Sequence, residues 1–311
     1  MPRQPLQRVQ AAMAAHGFFI AKRTKSQIAE ELGISRFRVA RLIDAAIEQG
    51  LVRFVISEPE DINVELSEAV RRLYGLKTVL VLDGPDSPTN SLTTPLGNLA
   101  ASFLDEILVD NQTIGIAWGR TLAATTKALT HLPKVDVVQV AGAPARLDIS
   151  QNPVELVHRM ASLSGGAAYP IYGPMWAADP KLIRSLRQEP SIASALAKCD
   201  SLDVLVIGIG SWRPAESCLY SGFPRAWRKQ ALSKGAQADV CATLIDRDGK
   251  EVPSALDTRG LSITGKQLRR VPDVIGIGGG LEKAEAIAAV LRGRWINTLI
   301  TDASVARRLI T

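Results

Sequence analysis

Four short runs constrain this chain of 311 residues more than any other feature, because each carries an apolar, largely β-branched stretch straight into glycine or another small residue. They read TIGIAWG at 113–119, VVQVAGA at 137–143, VLVIGIG at 204–210 and VIGIGGG at 274–280. Runs without polar alternation suit strands buried on both faces, and a glycine at the carboxyl end allows a tight turn into a helix. The pattern therefore predicts a parallel sheet covered by helices. In open sheets of this class the carboxyl ends of the strands line the ligand crevice, where backbone amides and helix N-termini converge.

Around these runs the chain alternates. The periodicity predicts a helix ending at Tyr74, a strand at Lys77–Leu82, a helix from about Pro95 to Leu108 and a strand at Thr113–Trp118. Apolar residues are 46% and charged residues 22% of the whole, an ordinary globular balance, and the length suits two domains. The acidic segment Ser57–Asn63, which contains Pro59, breaks the periodicity. We therefore expect an N-terminal domain at 1–57, a linker at 58–65 and a larger domain at 66–311.

The small domain reads as helical. A first apolar stretch from Leu6 to Ile20 puts Val9, Met13 and Phe19 or Ile20 at near-helical spacing and ends around Gly17. Thr24 and Gln27 form a capping-box pattern before a helix that stops at Gly33, and Ser35 can cap the next one, which runs to about Gln49. Leu51–Ile56 resembles a short strand, a possible wing. In this segment small Ala29 allows a close helix crossing, Gly33 turns the chain, and Leu32, Val39 and Leu42 fill the shared core, which is the physics of a helix-turn-helix. The second helix then presents Arg36, Phe37, Arg38 and Arg41 at its early exposed positions, with Thr24, Lys25 and Ser35 at the neighbouring helix starts. Arginine can fork onto a guanine edge or hold a phosphate, whereas Phe37 could meet a thymine methyl or pack inward.

Charge agrees with a nucleic-acid partner for this part alone. Residues 1–56 hold nine Lys or Arg against four Asp or Glu, so the segment is +5, and the other 255 residues carry only +1 of the total +6. Three dispersed cysteines, Cys199, Cys218 and Cys241, form neither a disulfide framework nor a zinc site and suit a reducing cytoplasm. No apolar run is long enough to span a membrane. The glycine clusters lack the dinucleotide fingerprint and no phosphate-loop motif occurs, so no cofactor is expected.

With IAEELGISRFRVARLI, IGIAWGRTL, VIGIGS, GAQADVCATLIDRDGKEV and GGGLEKAEAIAAVLRGRWINTLITDASVARRLI in that order, the chain resembles the SorC family of sugar-responsive bacterial regulators. The resemblance covers nearly the whole length. It implies an all-α helix-turn-helix joined to a Rossmann-like three-layer α/β/α effector domain shaped like the sugar-phosphate isomerases. It also implies an effector site at the carboxyl edge of the sheet, built from Gly119, Arg120 and Thr121, from Ala141, Gly142 and Ala143, from Asp239 as acceptor for sugar hydroxyls, and from Lys283. Two residues depart from the family pattern: Arg120 stands where a small hydroxyl residue is common, and Ala141 replaces a frequent glycine. Arg120 either strengthens an anion grip or fills the space a phosphate would take. Gly210, Trp212 and Arg213 complete the candidate set, and Trp118 and Trp176 are further indoles near strand ends that could stack on a sugar.

An active isomerase or deaminase of the same fold is the rival reading. Such an enzyme needs a carboxylate with a second acid-base group. Here the segment after VIGIG reads SWRPAES, and no histidine follows His158, so we expect a non-enzyme. The expected partners are a double-stranded, palindromic DNA operator and a sugar, sugar phosphate or polyol, with self-association to a dimer or tetramer and no membrane contact. A DNA-binding protein without a metabolite ligand is the other alternative.

Overall fold

The computed structural model describes residues 5–52, 61–144, 152–212 and 217–311. Contacts divide the chain into two compact units, Met1–Ser57 and Glu58–Thr311.

In the first unit, helix α1 (Pro5–Ala15) continues into a π-helical turn at His16–Ile20, followed by α2 (Lys25–Leu32) and α3 (Arg36–Glu48). The first helix does not bury the large residues its periodicity suggested. Val9 and Met13 are more than half exposed, while Ala11, Ala14 and Ala15 join Ile28, Val39, Leu42, Ile43 and Ala46 in the core. Close approach of α1 to α3 favours small side chains at the contact, so size rather than hydrophobicity selects the buried face. Gly17 does not end the helix either; it sits buried in the π turn against Ile28. Thr24 and Gln27 form the expected capping box, Gly33 takes a left-handed φ of 61°, and the Ser35 hydroxyl accepts the Arg38 amide. Most of the possible wing, 53–56, lies outside the described residues, and Leu51 and Val52 form no strand.

Near the start of the second unit's described residues Ile62 is bridged to Leu82, and α4 (Val64–Tyr74) already includes the last two positions of the expected linker. Strands β1 (Thr78–Leu82), β2 (Thr113–Ile116), β3 (Asp136–Gln139), β4 (Ala168–Tyr169) and β5 (Val204–Gly208) are followed by β6 (Gly210–Ser211), β7 (Ala236–Val240), β8 (Thr243–Asp246), β9 (Asp273–Ile277) and β10 (Thr298–Asp302). Seven form one parallel sheet in the order β1-β10-β9-β5-β2-β3-β4, and β6-β7-β8 form a small antiparallel sheet. The four glycine-ended runs become the adjacent strands β9, β5, β2 and β3. Every residue of β2 and β10 is buried, so helices must cover both faces. They include α5 (Thr89–Ile107), α6 (Arg120–Ala128) and α7 (Pro153–Ser164). Helix α5 starts six residues before the expected Pro95, which stands inside it.

Chain direction in the sheet fixes where a ligand can sit. From β2 the chain moves outward to β3 and β4, whereas from β5 it moves the other way to β9 and β10. The border of β2 and β5 is thus a topological switch point, at which the connections diverge and leave a crevice beyond the carboxyl ends.

Candidate functional site

A cavity of about 370 Å³ opens at that crevice, floored by Ala117, Trp118, Gly208, Ile209 and Ile277 from the ends of β2, β5 and β9. One wall is the start of α6. Gly119, at φ 136° and ψ 163°, takes a conformation that a side chain disfavours and offers no side-chain cap to the helix it precedes. Residues Gly119 to Leu122 line the cavity, so the positive end of α6 meets it directly.

Another wall is built on Asp239 of β7, which pairs with Gly210 of β6. A Cβ at position 210 would stand 2.7 Å from Asp239 Oδ2, so glycine is what lets the buried carboxylate lie flat against the neighbouring strand. The Ser217 hydroxyl donates to Asp239 Oδ1 at 2.6 Å. Burial pushes the Asp239 carboxyl up to about 6, against the opposing pull of the Ser217 hydrogen bond and the Lys283 charge. Lys283 Nζ donates to the Ile209 carbonyl at 3.1 Å and also lines the cavity. It ends the short 3₁₀ turn Leu281–Lys283 that precedes the helix Ala284–Arg292.

The rim comes from the N-terminus of α5. Thr89 and Thr93, one helical turn apart, both face the cavity. The Glu282 carboxylate accepts from the Thr89 amide at 3.1 Å and from its hydroxyl, so a residue far along the chain supplies the cap that Pro88 cannot. Arg120 donates to the Asn90 side chain, tying the first residue of α6 to the same rim.

Of the residues expected in the site, Gly119, Arg120, Thr121, Gly210, Asp239 and Lys283 meet in this one cavity, with Trp118 beside them. Four others, Ala141, Gly142, Ala143 and Trp212, do not. Ala141, Gly142 and Ala143 turn away into backbone pairing: the Gly142 amide donates to the Leu261 carbonyl at 2.8 Å, the Ala143 amide to Gly173 at 2.9 Å, and Ala141 bridges Ser262. A Cβ on Gly142 would stand 2.5 Å from the Pro174 carbonyl oxygen, so that glycine serves packing. Trp212 is 1% exposed and packs edge-on against Tyr220 and Phe223, a core indole rather than a ligand platform. Trp176 likewise packs on Phe223 and Trp227. Arg213 lies outside the described residues.

Sequence reasoning missed Thr89, Thr93, Ser217, Ser221 and Cys241, which also line the cavity. The hydroxyl-rich TNSLTT at the start of α5 was a usable signal. Cys241 and Ala242 carried none: they form the two-residue β7–β8 turn with φ of 45° and 68°, a geometry normally left to glycine or asparagine. Among the described residues no group of His, Cys, Asp or Glu is placed to hold a metal ion, and no helix is long and apolar enough to cross a membrane.

The first unit offers a second surface. Arg36, Phe37, Arg38 and Arg41 are all exposed on α3, opposite or beside the buried Val39, Leu42, Ile43 and Ala46. Ser35 and Thr24 spend their hydroxyls on caps, and half-buried Lys25 lies with its ammonium 5.6 Å over the Phe18 ring.

Comparison with known proteins adds relatives to this geometry. The chain is 28% identical over 298 residues to the sorbitol operon regulator of Klebsiella pneumoniae, covering 92% of this chain and 93% of that protein. It is 26% identical over 304 residues to the deoxyribonucleoside regulator of Bacillus subtilis, covering 96% of each. The crystal structure of full-length SorC from Klebsiella pneumoniae superposes with a TM-score of 0.74 at 26% identity, over 98% of this chain and 99% of that one. These relatives are named as regulators, not enzymes. Residues 60–311 match the family described as "Putative sugar-binding domain", and with that match the chain belongs to the SorC family of sugar-binding transcriptional regulators.

Proposed function

We propose that residues 1–57 bind a double-stranded operator and that residues 66–311 bind a small sugar, polyol or sugar phosphate, whose occupancy sets operator affinity in the control of carbohydrate metabolism. The observation that carries this reading is convergence. Gly119, Arg120, Thr121, Gly210, Asp239 and Lys283 come from four separate stretches and share one cavity. The cavity has two chemical poles. The amide end of α6 with Arg120 suits an anion, and Asp239 with Ser217 suits hydroxyl groups that donate. Its volume of about 370 Å³ matches a ligand of monosaccharide size. The Klebsiella relative is named for a polyol and the Bacillus relative for deoxyribonucleosides, which points to the same chemical range.

Self-association to a dimer or tetramer would pair the DNA-binding units, and closed symmetry favours a palindromic operator read in successive major grooves. The ligand shifts the balance between DNA-binding and released arrangements only by its difference in affinity for the two. We place the protein in the cytoplasm, with the DNA it controls.

The test is a thermal-shift panel on the full chain, pairing each sugar and polyol with its phosphate. A ligand at 100 times its Kd stabilises by about 2.7 kcal/mol, a clear rise in Tm. A specific rise that disappears in Asp239→Ala is the expected result; silence across the panel overturns the sugar-binding reading of the cavity.

A further inference from the structure

Phe37 is 83% exposed, while Phe18 and Phe19 stack edge-on with ring centroids 5.1 Å apart and pack against the core of the same unit. Phe37 is not among the side chains packed against that core. It stands on the second residue of α3, about 180° around the helix from the buried Ala46. Among the described residues the ring takes no part in the core of the unit, and with Arg36, Arg38 and Arg41 exposed on the same helix it is open to a partner.

Charge along the helix indicates what the contact is. From Phe37 the outward stripe runs at helical spacing to Arg41, Asp44 and Glu48, so its sign changes from positive to negative halfway along. Arg36, Arg38 and Arg41 are exposed with Phe37 on the N-terminal half of the helix, and Asp44 and Glu48 on the far half. A polyanion therefore meets the first turns of α3 and is repelled beyond them. An exposed ring on the same helix turns as three exposed arginines suits a surface that presents phosphates and an apolar group together. In the major groove of duplex DNA that apolar group is the 5-methyl of thymine. We propose that Phe37 is a specificity-determining residue that packs on a thymine 5-methyl group in each operator half-site. This rests on the DNA-binding reading of residues 1–57 and adds what the helix reads.

Uracil pairs as thymine does and lacks only the methyl group, so it isolates the contact. The full chain selects duplexes from a random library, and each thymine of the consensus is then replaced singly by uracil, with Kd measured by fluorescence anisotropy. One thymine per half-site should lose roughly threefold to tenfold in affinity on replacement, the worth of a buried methyl. The Phe37→Ala protein, its helix content checked by circular dichroism, should bind the thymine duplex with about the same loss and be indifferent to uracil. Selection of a consensus in which no thymine is sensitive overturns the Phe37 contact and leaves DNA binding standing, as does equal sensitivity in Phe37→Ala. Failure to select any duplex overturns both readings.

Discussion

Ser217 Oγ lies 2.6 Å from Asp239 Oδ1 and donates its only proton to a carboxyl group that is buried against β6 at the wall of the cavity. That bond partly offsets the cost of burial, which still holds the Asp239 pKa at about 6. In the unfolded chain the same group titrates near 3.9. Between those values the folded protein keeps a proton that the unfolded chain has lost, so stability falls as pH rises through the window and levels off above about 6. The difference corresponds to on the order of 2–3 kcal/mol. Urea midpoints from pH 4 to 7 should show this decline in the wild type relative to Asp239→Asn, and parallel curves would reject the assignment. Ser217→Ala, which removes the opposing bond, should carry the decline to higher pH.

Two glycines of the same cavity, Gly208 in its floor and Gly210 in its wall, separate packing from chemistry. A Cβ on Gly210 would press on the Asp239 carboxylate, whereas one on Gly208 meets nothing closer than the Trp118 carbonyl oxygen at 3.7 Å. Gly210→Ala should therefore cost about 1–3 kcal/mol and remove the ligand-induced rise in Tm. Gly208→Ala should change stability by less than about 0.5 kcal/mol. Thermal melts of both variants with and without ligand check this, and equal losses would deny Gly210 its role.

Arg120 holds Asn90 and lines the cavity at the start of α6, so on the proposed reading its removal should discriminate between ligands. A hydrogen bond to a charged group contributes about 1.5–3 kcal/mol, so Arg120→Ala should weaken a phosphorylated ligand roughly tenfold to a hundredfold. Its unphosphorylated counterpart should change less than about threefold, within the range of an uncharged contact. Calorimetric titration of the pair decides it. An equal loss for both ligands would mean that Arg120 acts by holding the α5 rim in place.

What the chain disclosed in advance follows from the range of the forces involved. Strand character and the small residues at strand ends are local, and the four runs became the central strands β9, β5, β2 and β3. The end of β3 has the same local signature as β2, yet its turn is taken up by Leu261, Gly173 and Met175, partners far along the chain that no local pattern names. Ser217 reaches Asp239, and Glu282 reaches Thr89, by the same kind of long-range closure. Trp212 misled because proximity in sequence to a glycine turn says nothing about the aromatic cluster waiting behind it. In the small unit the caps were legible, being fixed by three-residue spacing, whereas the contact face of α1 depended on how closely α3 approaches.

The cap and the contact on α3 can be separated experimentally. The Ser35 hydroxyl accepts the backbone amide of Arg38 at 3.2 Å, so the start of the helix depends on Ser35 and on the Arg38 backbone, while the guanidinium of Arg38 remains exposed. Ser35→Ala should cost about 1 kcal/mol of stability and weaken DNA binding with it. Arg38→Ala keeps the amide and the cap, so it should weaken binding to a selected duplex while leaving Tm close to the wild-type value. The salt dependence then tells which part of DNA the guanidinium holds. A phosphate contact lowers the slope of log K against log salt by about 1 for every sequence, whereas a contact to a base edge leaves the slope and erases about 1–3 kcal/mol of preference for one base. Unchanged affinity at every salt concentration would remove Arg38 from the interface and move it to the solvent face of α3.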